Sequence, residues 1–138
     1  MDTPKVLAPA EGESSLPGEF SVYCLCAEWC GTCRDYRQGF LALASQFPLV
    51  RFVWLDIEDR ADDMGDLDIE NFPTLLIMRG ELVLFFGTML PHLGHLQRTI
   101  EVFLAQTREE SFAYANSDNE RKSWQENADL RSIGRLSS

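Results

Sequence analysis

The chain has 138 residues, enough for one domain with a single core, and its apolar share of 45% is that of an ordinary globular protein. Its formal net charge of −10 argues against nucleic acid as a partner, because affinity for phosphates comes mainly from Lys and Arg. No apolar run approaches the roughly 18 residues of a transmembrane helix, so the sequence predicts no membrane association.

The first predicted elements follow an N-terminal arm, residues 1–18, which has three prolines and no apolar period. The arm has no basic stretch followed by an apolar one, so we expect no secretory signal and a cytoplasmic location. Residues 20–26 (FSVYCLC) are apolar and β-branched, which predicts a buried strand. Apolar residues at helical spacing predict a helix over 30–46. Residues 50–57 are apolar on both faces, as in a central strand, so the three elements form a parallel βαβ unit.

The second half of the predicted domain is a hairpin followed by a helix. TLLIMR and ELVLFFG flank Gly80, which predicts two antiparallel strands, and a last helix is expected over 92–106. Between the βαβ unit and this hairpin, residues 56–70 contain eight carboxylates and one arginine, which suggests a solvated acidic face or a rim that selects partners. Residues 107–138 are mostly polar and predict a C-terminal tail, disordered or weakly helical. The domain itself is therefore expected over residues 19–106.

All four cysteines fall within ten residues, a cluster that indicates redox chemistry or metal binding rather than a disulfide scaffold. Cys24 and Cys26 lie two apart on the predicted strand, about 6.6 Å from each other, which is poor for a disulfide. We expect them to be buried core thiols, with a second redox pair or a four-cysteine metal site as alternatives. Cys30 and Cys33 open the predicted helix, where backbone amides and the helix dipole favour a reactive thiolate.

Two motifs resemble the thioredoxin family over residues 20–106. Residues 27–33 (AEWCGTC) are similar to its active-site segment, with Thr32 in place of a proline, and residues 72–74 (FPT) resemble its cis-proline loop. The resemblance implies an α/β, thioredoxin-like fold: a mixed central sheet, parallel βαβ plus antiparallel ββα, flanked by helices, with a short N-terminal element. It implies that Cys30 attacks, that Cys33 resolves and that the two form the redox-active disulfide.

The resemblance also implies a cis Pro73 facing the disulfide and a set of substrate-binding residues: Trp29, Gly31, Thr32, Phe72, Pro73 and Thr74. The chain departs from the family at three core positions. The buried aspartate falls on Cys24, its lysine partner on Trp54, and a nearby tryptophan on Cys26. Residues 1–18 are too short for the family's usual first strand and helix, so residues 107–138 could cover the sheet instead.

The function expected from this resemblance is protein-disulfide reduction by dithiol exchange, in cell redox homeostasis. The partners would be disulfide-containing protein substrates and a recycling reductase, with no nucleic acid and no membrane, and the chain would be a monomer. No cofactor and no metal are expected. The alternatives are a thioredoxin-like adaptor or assembly factor whose redox pair is vestigial or regulatory, and a zinc or iron–sulfur protein that uses all four cysteines.

Overall fold

The computed structural model describes residues 19–67 and 69–136, so the expected N-terminal arm lies outside the described residues. The elements, in chain order, are β1 (Phe20–Cys26), α1 (Gly31–Ala44), β2 (Val50–Asp56), a short 3₁₀ helix (Ala61–Asp63), β3 (Thr74–Arg79), β4 (Leu82–Thr88), α2 (Leu93–Leu104), α3 (Arg108–Ala115), α4 (Asn119–Glu126) and α5 (Ala128–Ile133). No helix within the described ranges is both long enough and apolar enough to cross a bilayer.

The described strands form one mixed sheet in the order β2-β1-β3-β4. β1 pairs in parallel with β2 and antiparallel with β3, and β3 pairs antiparallel with β4. The predicted mixed sheet with a βαβ unit and a hairpin is therefore confirmed. β1 lies between two neighbours, which explains why all seven of its residues are buried.

The side chains of β1 alternate between the two faces of the sheet, as the pleat requires. One face packs against α1 and α2 and holds the side chains of Phe20, Val22, Cys24 and Cys26. The other holds Tyr23 and Leu25, which pack with Leu130 and Ile133 of α5. The two cysteines of β1 therefore face the helix that begins with the C-x-x-C segment.

Residues 107–138 were expected to be a tail, but the described part of this segment folds into α3, α4 and α5 and packs on the sheet. Leu130 and Ile133 are fully buried against the face of the sheet opposite α1. Helix ends in this segment have good capping: Thr107 and Glu110 form a capping box at α3, and the Asn127 side chain accepts from the first amides of α5. A few buried apolar side chains and these caps stabilise the segment despite its polar composition.

Polar contacts fasten this C-terminal segment to the sheet. The Gln125 amide accepts from the Val83 backbone N–H at 2.9 Å and donates to its carbonyl at 2.7 Å, which satisfies both groups on the outer edge of β4. The buried Arg79 donates to Glu19 at 2.5 Å and to the Ser111 hydroxyl at 2.9 Å. Because Arg79 and Ser111 are buried, removing a partner of the guanidinium would leave a buried charge less well compensated.

Candidate active site

The site forms where β1 ends and α1 begins, at the carboxyl end of the central strand. Cys26 is the last residue of β1, and a short turn closed by a hydrogen bond from the Cys30 amide to the Ala27 carbonyl, 3.0 Å long, leads into α1. Cys30 is the N-cap residue with an extended backbone, and Cys33 lies in the first helical turn, facing the sheet. This strand–turn–helix arrangement brings all four cysteines into one small region.

In the structure Cys33 is disulfide-bonded to Cys26, with Cα atoms 5.8 Å apart, whereas Cys30 and Cys24 are free thiols. The pairing differs from the expected Cys30–Cys33 disulfide, and Cys26 is not the core thiol that we expected. The physical reason is the period of the strand: Cys26 points to the face that α1 covers, and the first turn of α1 places Cys33 opposite it. The alternation of side chains along β1 is a signal in the sequence that places Cys26 on the α1 face, but a separation of seven residues does not by itself indicate a disulfide pair.

Cys30 is the accessible sulfur of the group. It is half-buried, whereas the other three cysteines are fully or almost fully buried. As the N-cap of a 14-residue helix with no acidic residue in its first turn, it lies where helix amides favour a negative charge. A thiol in this position can act as a nucleophile toward a disulfide that approaches from solvent.

An aromatic surface borders Cys30. Trp29 is 62% exposed; its indole N–H donates to Glu58 at 3.0 Å, and its ring meets Phe72 edge-to-face at 5.6 Å. The Phe72–Pro73 peptide bond is cis. Thr74 pairs with Leu25 in the antiparallel register of β1 and β3. Pro73, one residue before Thr74, therefore lies beside the end of β1, where Cys26 is located. The loop before β3 and the cysteine segment are thus brought together.

The remaining predicted site residues lie around this surface in different environments. Gly31 and Thr32 are exposed at the start of α1, and Pro73 and Thr74 are buried. The Thr74 hydroxyl donates to the Asn71 carbonyl at 2.6 Å, which fixes the loop that precedes β3.

Beneath the disulfide lies a second buried group, which consists of Cys24 and Tyr36. The Cys24 sulfur is 4.0 Å from the Cys26 sulfur, and burial raises the pKa of the Cys24 thiol far above its usual range. Burial, and to a smaller extent Cys24, raises the pKa of Tyr36, whose hydroxyl has no hydrogen-bond partner among the described residues. Both groups are therefore neutral at physiological pH, and neither can accept a proton there.

A cleft of about 460 Å³ opens beside Cys33 on the other side of the site. It is lined by Trp54 and by six charged residues, Glu28, Arg34, Arg37, Asp56, Asp59 and Arg60. Asp56, which sequence reasoning did not single out, organises it: its carboxylate accepts from the amides of Glu28 at 3.1 Å and Glu58 at 2.9 Å. The cleft gives solvent a route toward the otherwise buried Cys33 sulfur.

The structure also bears on the four-cysteine metal site, which the sequence left as an alternative. Among residues 19–67 and 69–136, no three His, Cys, Asp or Glu side chains are grouped so that they could hold a metal ion.

Comparisons with known proteins agree with this geometry. A thioredoxin family model matches residues 18–89. A putative thioredoxin H10 of Arabidopsis thaliana is 30% identical over 67 residues, 49% of this chain and 44% of that protein. An H-type thioredoxin of Picea mariana is 32% identical over 53 residues, 38% of this chain and 42% of that protein.

Among solved structures, thioredoxin O2 from Arabidopsis thaliana in its oxidised state is 26% identical, with a TM-score of 0.54 over 65% of this chain and 76% of that one. The chain spans about half the length of the curated relatives it matches. The family model covers more than half of this chain, including both the cysteine segment and the loop before β3. The chain belongs to the thioredoxin family.

Proposed function

We propose that this protein is a thiol–disulfide oxidoreductase that reduces disulfides of protein substrates by dithiol exchange through Cys30 and Cys33. The observation that carries the proposal is Cys30 itself: an unbonded, half-exposed thiol at the N-cap of α1, with Cys33 in the helical turn that follows. Membership of the thioredoxin family supports the same chemistry.

In the reduced chain the reaction has two exchange steps. The Cys30 thiolate attacks one sulfur of the substrate disulfide, so a mixed disulfide forms and the other substrate sulfur leaves as a thiolate. The Cys33 thiolate then attacks the Cys30 sulfur, a Cys30–Cys33 disulfide forms, and the second substrate sulfur leaves. Two electrons have passed from the chain to the substrate, and a recycling reductase must return them.

Substrate recognition is proposed for the surface around Cys30. Trp29 and Phe72 form an aromatic platform, and Gly31 and Thr32 add exposed small groups beside the sulfur. The loop that contains Phe72, Pro73 and Thr74 offers backbone groups for pairing with an extended polypeptide, a recognition mode in which main-chain hydrogen bonds give affinity without requiring one substrate sequence.

The proton of Cys33 needs an acceptor before the second step. Cys24 occupies the position of the family's buried aspartate, and its buried thiol stays neutral. The cleft beside Cys33 provides an alternative, since it opens to solvent and is lined by the carboxylates of Glu28 and Asp56. Resolution should therefore be slower at neutral pH than with a buried base, because a positioned base typically contributes about 10²–10⁴ in rate.

A second candidate function is a thioredoxin-like adaptor or assembly factor with a regulatory redox pair. The observation in its favour is the Cys26–Cys33 disulfide, which occupies the resolving cysteine and leaves Cys30 without a partner. In this form the chain can bind a partner covalently but cannot release it by internal exchange. The cytoplasmic location and the monomeric state expected from the sequence remain predictions.

An insulin-reduction assay with dithiothreitol, followed by turbidity, tests the proposed function. The wild-type chain should accelerate precipitation of the insulin B chain, and Cys30→Ser should abolish the acceleration. Cys24→Ala is the matched control, because it removes a neighbouring free cysteine that is fully buried and therefore out of reach of a substrate disulfide. Activity that survives Cys30→Ser, or a wild-type rate no higher than dithiothreitol alone, would count for the adaptor.

A further inference from the structure

Exchange through Cys30 and Cys33 leaves two nearby sulfurs, those of Cys24 and Cys26, without a role, and of these only Cys26 is bonded to Cys33. Cys26 is fully buried at the end of β1 and is bonded to Cys33 in the structure. Cys33 also follows Cys30 by three residues in the first helical turn, a spacing at which side chains are neighbours on the helix surface. Cys33 is thus a sulfur with two possible partners, one in the core and one at the surface.

We propose that Cys26 is a second resolving cysteine, which takes the disulfide over from Cys30 and leaves the oxidised chain with a Cys26–Cys33 disulfide and a free Cys30 thiol. The inference rests on the proposed function, because the substrate reaction supplies the initial Cys30–Cys33 disulfide. It assigns a chemical role to a buried cysteine that lies outside the C-x-x-C segment.

The transfer step is an isomerisation and needs no outside reactant. The Cys26 sulfur attacks the Cys33 sulfur, the Cys26–Cys33 bond forms, and the Cys30–Cys33 bond breaks. The bonding electron pair leaves with the Cys30 sulfur, which takes up one proton while Cys26 gives one up. The number of disulfides and the total number of protons stay unchanged.

Cys30 and Cys26 are the two alternative partners of Cys33, and their environments explain why the disulfide should pass from Cys30 at the surface to Cys26 in the core. Cys30 is half-exposed at a helix N-terminus, where a departing thiolate is stabilised by backbone amides and by water, so it is a good leaving group. Cys26 is fully buried, and as part of a disulfide it has no charge to desolvate. Cys24 is just as buried, but it lies two residues further back along β1, and in the structure it is Cys26, not Cys24, whose sulfur is bonded to Cys33, so geometry selects Cys26.

The relay changes what the oxidised chain can do. An oxidised chain with a Cys30–Cys33 disulfide has no accessible nucleophile, whereas one with the Cys26–Cys33 disulfide still presents the Cys30 thiol. That thiol can attack a second disulfide, but Cys33 is no longer free to release the product. The oxidised chain would therefore hold a second partner as a mixed disulfide until Cys33 is reduced.

Peptide mapping after a single turnover distinguishes the two disulfides. Reduced protein is mixed with one equivalent of insulin disulfide, so that no disulfide is left for a second attack by Cys30, then treated under native conditions with N-ethylmaleimide, and cleaved after Glu and Arg. Cleavage after Glu19, Glu28 and Arg34 separates peptide 20–28, which contains the two strand cysteines, from peptide 29–34, which contains the two helix cysteines. We expect these two peptides to be linked by a disulfide and Cys30 to hold one maleimide per chain.

Two alanine variants make the result specific to Cys26. Cys24→Ala should give the same link and the same single maleimide as the wild type, because it removes the neighbouring buried thiol on the same face of β1. Cys26→Ala should give no link and no maleimide under native conditions, because its disulfide stays at Cys30 and Cys33. The wild-type map decides the matter by itself if either variant fails to fold.

The relay and the proposed function fail in different ways. If insulin is reduced but peptide 29–34 contains an internal disulfide in the wild type, the relay is wrong and dithiol exchange stands. If insulin is not reduced and all four cysteines remain thiols, the proposed function fails and the relay fails with it.

Discussion

A Leu130→Ala substitution should strongly destabilise the chain, because the structure makes residues 107–136 part of the core. Leu130 is 0% exposed and packs against Tyr23, Leu76 and Val83 on the face of the sheet opposite α1. Truncating a fully buried leucine costs about 2–5 kcal/mol in free energy of unfolding, from lost transfer energy plus the cavity left behind. For a domain of this size each kcal/mol lowers Tm by about 3–4 °C, so we expect a fall of roughly 10 °C.

Urea unfolding followed by far-ultraviolet circular dichroism measures this loss, with Phe112→Ala as the matched control. Phe112 lies in the same C-terminal segment but is 61% exposed, so its truncation should cost less than about 0.5 kcal/mol. The slope of the free energy against urea should be the same in all three proteins, since the surface exposed on unfolding hardly changes. If Leu130→Ala and Phe112→Ala both leave the stability unchanged, the C-terminal segment does not pack on the sheet.

Three further predictions concern stability and partner choice. Burial raises the pKa of Cys24, so its thiol stays protonated in the folded chain but ionises above about pH 8.5 in the unfolded chain. The contribution of Cys24 to the free energy of unfolding should therefore be constant below that pH and fall by up to about 1.4 kcal/mol per pH unit above it. Cys24→Ala should remove this part of the slope in urea titrations, and an unchanged slope would contradict the assignment. Tyr36→Phe removes a buried hydroxyl with no partner among the described residues, so it should raise the free energy of unfolding by about 1 kcal/mol, and a loss instead would reveal a missed hydrogen bond. Changing the exposed Asp62, Asp63 and Asp66 to Asn should slow stopped-flow reduction of a basic protein substrate several-fold at low salt but spare a small neutral disulfide, whereas equal slowing of both would indicate a structural role.

Local patterns predicted the sheet well because each of them matched the tertiary environment. The continuous apolar run of β1 predicted a central strand, and it lies between β2 and β3. The helical spacing after the C-x-x-C segment predicted α1, whose buried residues Tyr36, Phe40 and Leu43 follow that spacing. In these elements the residues that are apolar in the sequence are the ones that are buried in the structure, so the spacing of apolar residues was sufficient to predict the strand and the helix.

The C-terminal helices escaped prediction because their stability comes from few contacts. Composition alone suggested a tail, since six acids and five bases outnumber the apolar side chains that turn out to be buried. A capping box of Thr107 and Glu110, and Asn127 before α5, were nevertheless present in the sequence as helix-start signals. The resemblance also indicated that this segment could cover the sheet in place of a short N-terminal element, and Leu130 and Ile133 do pack on the face opposite α1, although the sequence did not single out these two residues for that role.

The position of the site was predicted from the sequence, but the disulfide partner of Cys33 was not, because that pairing depends on contacts between different elements of the fold. The C-x-x-C spacing identified Cys30 and Cys33 as the pair at the helix start, and both lie there. The disulfide partner of Cys33 depends instead on how close the end of β1 comes to the first turn of α1, a distance set by packing. Spacing along the chain cannot give that distance, although the alternation of β1 does place Cys26 on the correct face.

Trapping a mixed disulfide with Cys33→Ser tests the central claim, that Cys30 is the attacking nucleophile of a disulfide reductase, most directly. Without the Cys33 sulfur the first exchange step proceeds and the second cannot, so the substrate should stay bonded to the chain. Mass mapping of the non-reduced adduct should find insulin attached to Cys30, and reduction should release it. An adduct on Cys24 or Cys26, or no adduct at all while the wild type reduces insulin, would contradict the account.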